Sequence, residues 1–185
     1  MISGLYSFAR KWSDGGSVWM ISDTHFDDPD RAFMGYAVSE EEQIVILNQC
    51  VMKNDTLIHL GDVGNPEYMQ YVKGYKVLVL GNHDFTASRF KPYFDEIYEG
   101  PLLIGRKLIL SHEPVDVPWA FNIHGHNHNP GSNDDHHLNL AANVYGYTPA
   151  NLGRLIKDGL VSIVDDIHRM TINNIKTDRD GQIKN

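Results

Sequence analysis

Short apolar runs recur along the chain with almost no polar alternation: VWMI at 18–21, TLIHL at 56–60, KVLVL at 76–80, KLILS at 107–111, FNIH at 121–124 and HLNL at 137–140. Each is bounded by turn-forming residues and is too short for a helix, so each predicts a β-strand. Strands without a polar face are those covered on both sides. The stretch PLLIGRKLILS predicts a hairpin turning at Gly105 and Arg106, which argues against a purely parallel sheet.

Helix starts are legible between these runs. Ser39 and Glu42 have the spacing of a capping box and precede Ile44, Leu47 and Val51 at helical intervals. Asn65 before Pro66 predicts a second helix start, and Thr148 before Pro149 predicts a third, opening TPANLGRLI. Strands and helices that alternate and then give way to a hairpin and more strands predict an α/β sandwich. A chain of 185 residues, 42% hydrophobic, is expected to form one domain over 1–185, with the polar residues 170–185 as a frayed tail.

Composition narrows the function. A net charge of −8 argues against a surface that grips a nucleic-acid backbone, so phosphate chemistry here would need cations from elsewhere. Cys50 is the only cysteine, which excludes an internal disulfide and a cysteine-built zinc site. The opening MISGLYSFARKW lacks the apolar core of a signal peptide, and no uncharged stretch is long enough to span a bilayer. A cytoplasmic protein with no membrane partner is the expectation.

The unusual residues fall where strands end, the place where α/β proteins bind ligands. After VWMI comes SDTHF, with Asp23 and His25; after TLIHL comes GDVGN, with Asp62; after KVLVL comes GNHD, with Asn82, His83 and Asp84. KLIL is followed by SHEP, with His112, and FNIH by GHNH, with His126 and His128. Asp23, His25, Asp62, Asn82, His112, His126 and His128 together offer more donors than one tetrahedral zinc accepts. They suit two ions of higher coordination sharing a carboxylate, and their imidazole content favours Mn, Fe, Zn or Ni over Ca or Mg. The glycines before Asp62, Asn82 and His126 permit sharp turns and close backbone approach. His59 and His124 lie within strands and are expected to pack or support, while Arg89 is read either as a phosphate contact or, the commoner case, as an exposed arginine on a helix face.

The ordered series D-x-H, G-D, G-N-H-D, a lone His and G-H-x-H resembles the calcineurin-like metallophosphoesterase superfamily, and in particular its small bacterial and phage-type members. The resemblance spans Asp23 to His128. It implies a four-layer α/β/β/α sandwich with two mixed β-sheets flanked by helices. It also implies a first metal held by Asp23, His25, Asp62 and His128, and a second by Asp62, Asn82, His112 and His126. Asp62 would bridge the two, and His83 would serve as the catalytic group that approaches the leaving oxygen. The block GDVGN lacks the further Asp and Arg of the protein Ser/Thr phosphatases, which argues against that activity and leaves open what orients His83.

The function so implied is hydrolysis of a small phosphoester, as a phosphodiesterase or phosphatase, with a hydroxide bridging two divalent ions as nucleophile. Two alternatives stand beside it: a non-catalytic protein-binding scaffold of the same fold, which would not need His83, and a nuclease, which would need a basic groove.

Overall fold

The computed structural model describes residues 16–104 and 107–160. The N-terminal segment, the turn at 105–106 and the tail expected over 170–185 lie outside the described residues.

Strands β1 (Val18–Ile21), β2 (Thr56–His59), β3 (Tyr75–Val79), β4 (Glu96–Tyr98) and β9 (Ala150–Asn151) form one sheet in the order β4-β3-β2-β1-β9. Its first four strands are parallel, and β9 runs antiparallel to β1. Strands β5 (Leu102–Ile104), β6 (Leu108–Leu110), β7 (Phe121–His124) and β8 (His137–Asn139) form the other, in sequence order. There β6, β7 and β8 are parallel, and β5 pairs antiparallel with β6 as the predicted hairpin requires, but with Leu102 opposite Leu110 and Ile104 opposite Leu108, so that three positions, 105–107, rather than two separate the paired residues. The fold is therefore α/β, two mixed sheets flanked by helices.

The strand period of two divides the side chains between layers. Val18, Met20, Ile58, Val77 and Val79 of the first sheet are buried with Leu102, Leu108, Leu110, Phe121 and Ile123 of the second, forming the core between the sheets. Ile21, Leu57 and Leu78 face the opposite way, onto Leu47 and Val51 from helix α1 (Glu40–Cys50) and its end, and onto Met69 and Phe90. Burying a side chain such as Leu47 stabilises the fold by about 1.5–3 kcal/mol. Helix α1 starts where its sequence says it should: Ser39 accepts the N–H of Glu42, and Glu42 accepts the N–H of Ser39.

Two predicted helices change on folding. Asn65 does cap a helix with Pro66 at its first position, but Pro66–Tyr71 is a 3-10 helix. Thr148 and Pro149 do not open a helix. Ala150 and Asn151 instead pair with Met20 and Trp19 at the edge of β1, and Asn151 caps the short helix Leu152–Lys157 by accepting the N–H of Arg154. An available sheet edge outweighs a local proline signal. Among the described residues no helix is long and apolar enough to cross a membrane.

Candidate metal centre

Because β1, β2 and β3 are parallel, the segments following them emerge at one edge, as do those following β6 and β7. The two edges are stitched together at this end. The imidazole Nδ1–H of His112 donates across the sheets to Leu60 O (2.9 Å), and the backbone N–H of His126 donates to Asp23 Oδ2 (2.9 Å).

The seven residues expected from the sequence to bind metal meet at this junction. Ligand atoms of Asp23, His25 and His128 lie within 4.8 Å of one another, as do those of Asp62, His112 and His126. Asp23 Oδ1 lies 3.8 Å from His25 Nε2 and 3.6 Å from His128 Nε2. Asn82 Oδ1 joins the second group, 2.7 Å from His112 Nε2 and 2.9 Å from His126 Nδ1. Asp62 Oδ2 stands between the groups, 3.7 Å from His25 Nε2 and 3.2 Å from His112 Nε2.

Three features fit these groups to cations. Asp23 Oδ1 and His25 Nε2 are buried without a hydrogen-bond partner, a costly state for polar atoms unless something else binds them. Four of the grouped residues, Asp23 (φ 53°), His25 (φ 42°), Asp62 (φ 54°) and His126 (φ 68°), adopt left-handed backbone conformations, an uncommon state for non-glycine residues that gathers at functional sites. Finally, each of three imidazoles is held from behind so that its Nε2 turns inward. His25 Nδ1–H donates to Asp28 Oδ2 (2.8 Å), His112 Nδ1–H to Leu60 O, and His128 Nδ1–H to Asn143 Oδ1 (3.0 Å).

The charges are coupled. Burial by itself raises the Asp62 carboxyl, but the hydrogen bond and charge of His112, with help from the His83 N–H and His25, hold it at about 2. Asp23 is likewise lowered against the effect of burial, by His25 and His112. In the other direction, burial disfavours the charged forms of His25 and His112, but the nearby Asp23 carboxylate and the Asp28 carboxylate that accepts from His25 Nδ1–H, and for His112 the charges of Asp62 and Asp23, leave both raised. The carboxylates are thus ionised at neutral pH, and any cation at this site would compete with protons for the two imidazoles.

His83 is exposed at the mouth of the site; its backbone N–H donates to Asp62 Oδ1 (2.9 Å), and its ring centroid lies 5.8 Å from that of His25. Among the described residues no side chain hydrogen-bonds its ring. The neighbouring Asp84 does something else: its carboxylate accepts the N–H groups of Asp62 (2.8 Å), Val63 (3.2 Å) and Gly81 (2.9 Å), clamping the segments after β2 and β3 together.

His59 and His124 are buried in their strands, in keeping with their expected supporting roles. His59 Nδ1 accepts the Gly61 N–H (3.2 Å), its Nε2–H donates to Thr24 Oγ1 (3.0 Å), and Thr24 Oγ1–H donates to Val63 O (3.0 Å). Sequence reasoning missed Asp28 and Asn143. Asp28 sits next to D-x-H in a D-P helix start and also caps the 3-10 turn Pro29–Ala32, a structural signal that masks its contact with His25.

A fold of two mixed sheets with paired ligand groups at their shared edge is that of a metallophosphoesterase. The family model for calcineurin-like phosphoesterase matches residues 16–175, and the chain belongs to that family. Among solved structures, a protein of unknown function from Aquifex aeolicus, AQ665, is similar with a TM-score of 0.64 and 26% identity, over 77% of this chain and 98% of that one. A nuclease MPE from Pseudomonas putida aligns with a TM-score of 0.42 and 20% identity, over 64% of this chain and 62% of that one. No curated protein matches the chain.

Proposed function

We propose that the chain is a metal-dependent phosphoesterase that hydrolyses a small phosphomonoester or phosphodiester at a dinuclear centre. The observation that supports this reading is the position of Asp62, grouped with His112 and His126, whose Oδ2 also approaches His25 Nε2 at 3.7 Å, against 3.2 Å to His112 Nε2, within reach of the other group. Asp23, His25, Asp62 and His128 would hold one ion, and Asp62, Asn82, His112 and His126 the other. Two divalent ions, Mn, Fe, Zn or Ni by the donor chemistry, supply an activated water and offset the charge of the phosphoryl oxygens, which answers how an acidic protein accepts an anion.

The chain's own contribution is positioning and proton transfer. Asp28, Leu60 O and Asn143 set the imidazole tautomers. His83, exposed and tethered through its N–H to Asp62, is placed to donate a proton to the leaving oxygen, a role worth roughly 10²–10⁴ in rate. Clefts of about 310 and 340 Å³ open on either side, the first bordered by His25 and His83 and the second by Asn82 and His112, sizes that suit a small substrate.

The test is hydrolysis by Mn-reconstituted protein of mono-, di- and cyclic phosphoesters, with His83→Ala assayed on an ester whose leaving group is poor. Mn-dependent turnover is expected, and His83→Ala should keep its metal and lose about 10²–10⁴ in rate. A metal-loaded protein inert to the whole panel would overturn the reading in favour of a scaffold. Parental turnover by His83→Ala would overturn the role of His83.

A further inference from the structure

We infer that the cleft beside His83 is a leaving-group subsite and that Arg89 in it binds an anionic substituent on the leaving group, a carboxylate or a second phosphate. The inference rests on the phosphoesterase reading and deepens it by naming a class of substrate.

The cleft of about 310 Å³ contains His25, from the first ligand group, together with His83, Phe85 and Arg89. A group that protonates the leaving oxygen must touch the leaving group, so the space that His83 shares with Arg89 is where that part of the substrate lies. Arg89 sits on helix α2 (Ala87–Phe90), which follows directly from the G-N-H-D segment, so the guanidinium and the proton donor are carried on one short piece of backbone.

Among the described residues Arg89 is the only Lys or Arg lining this cleft, and its guanidinium has no ion-pair or hydrogen-bond partner there. The two carboxylates that line the cleft with it are engaged elsewhere. Asp28 accepts from His25 and from the Asp30 N–H, and Asp27 Oδ2 accepts from Asn65 at 3.4 Å. Arg31 shows what a structural arginine looks like in this protein: it is buried and bonded to Thr24 O, Val38 O and Glu40. Arg89 has none of those ties. An unpaired guanidinium presents a planar fork that matches carboxylate or phosphate oxygens in pairs. Phe85, 88% exposed on the same cleft, offers a free ring face to the body of such a leaving group.

Binding of non-hydrolysable phosphonates to the Mn-loaded protein tests this without turnover. Calorimetry would compare phenylphosphonate, 4-carboxyphenylphosphonate and 1,4-phenylenediphosphonate on wild type, Arg89→Met and Arg89→Lys. An added anionic group should tighten binding to wild type by about tenfold, as one desolvated charge-assisted contact can. The gain should vanish in Arg89→Met and survive in part in Arg89→Lys, which keeps the charge without the fork. Whichever substituent gives the larger gain identifies the anion as carboxylate or phosphate. No gain in wild type, or an equal gain in Arg89→Met, would overturn the assignment of Arg89 alone. Failure of all three phosphonates to bind the Mn-loaded wild type would overturn the phosphoesterase reading and this inference with it.

Discussion

Removing the Asp84 carboxylate should loosen the two segments that carry Asp62 and Asn82. The Asp62 and Val63 N–H groups it accepts are buried, and the Gly81 N–H beside them is half-buried. Each buried donor left without a partner costs about 1–3 kcal/mol, so Asp84→Ala should lose about 2–6 kcal/mol from the two buried groups alone. That is a large share of the roughly 5–15 kcal/mol that holds a typical domain together. Asp84→Asn should fall between. Its amide oxygen can take the place of Oδ2, which serves Asp62 and Gly81, but its NH₂ then faces the Val63 N–H. Some of that loss is recovered, because burial and the neighbouring Asp62 charge both disfavour an ionised Asp84. Urea unfolding of the metal-free protein reads the order through tryptophan fluorescence, to which Trp19, whose indole N–H donates to Asp55 Oδ2, contributes. With a slope of about 2 kcal/mol per molar, the midpoint for Asp84→Ala should drop by about 1–3 M. A drop equivalent to less than about 0.5 kcal/mol, the scale of an ordinary surface change, would refute the clamp. So would an Asn variant as unstable as the Ala variant.

Gly125→Ala should abolish tight metal binding while changing one methyl group, because a Cβ there would lie 2.0 Å from Ser22 Oγ and 2.2 Å from Asp23 Oδ2; unchanged Mn affinity by calorimetry would contradict this. Asp28→Ala and Asn143→Ala should each weaken Mn binding by about 10–100-fold with the fold retained by circular dichroism, since each frees an imidazole from its tautomer-setting partner. His59 gives a pH prediction: burial lowers it to about 3 from the ordinary 6.5. Its depressed folded-state value means that its contribution to stability is complete above about pH 6.5 and is lost as pH falls toward about 3, on the order of 5 kcal/mol across the window. The stability gap between wild type and His59→Gln, measured by urea unfolding across that range, should shrink as pH falls; a gap independent of pH would contradict it.

The strands were legible because each apolar run was short, unbroken and ended in glycine or a polar residue, and Val18–Ile21 and Phe121–His124 match their predicted bounds. The candidate ligand residues could be gathered for the same reason, since a parallel strand fixes where its next residues go. What escaped was set by tertiary partners. Glu96–Tyr98 has little apolar signal of its own and becomes a strand by pairing with β3, and Ala150–Asn151 is drawn from a helix start onto the edge of β1. Asn143 acts on His128 from fifteen positions away and also donates to Met34 O, contacts that no local pattern encodes. Asp84 was visible in G-N-H-D, yet its orientation depended on where the segment after β2 lay, so its role as a clamp emerged only from the fold.

The most direct measurement is anomalous diffraction from crystals of the protein loaded with Mn. The account predicts two ions, one among Asp23, His25, Asp62 and His128 and the other among Asp62, Asn82, His112 and His126, with the Asp62 carboxylate touching both. A Mn-saturated crystal in which these side chains hold no ion, or in which Asp62 contacts a single one, would contradict it.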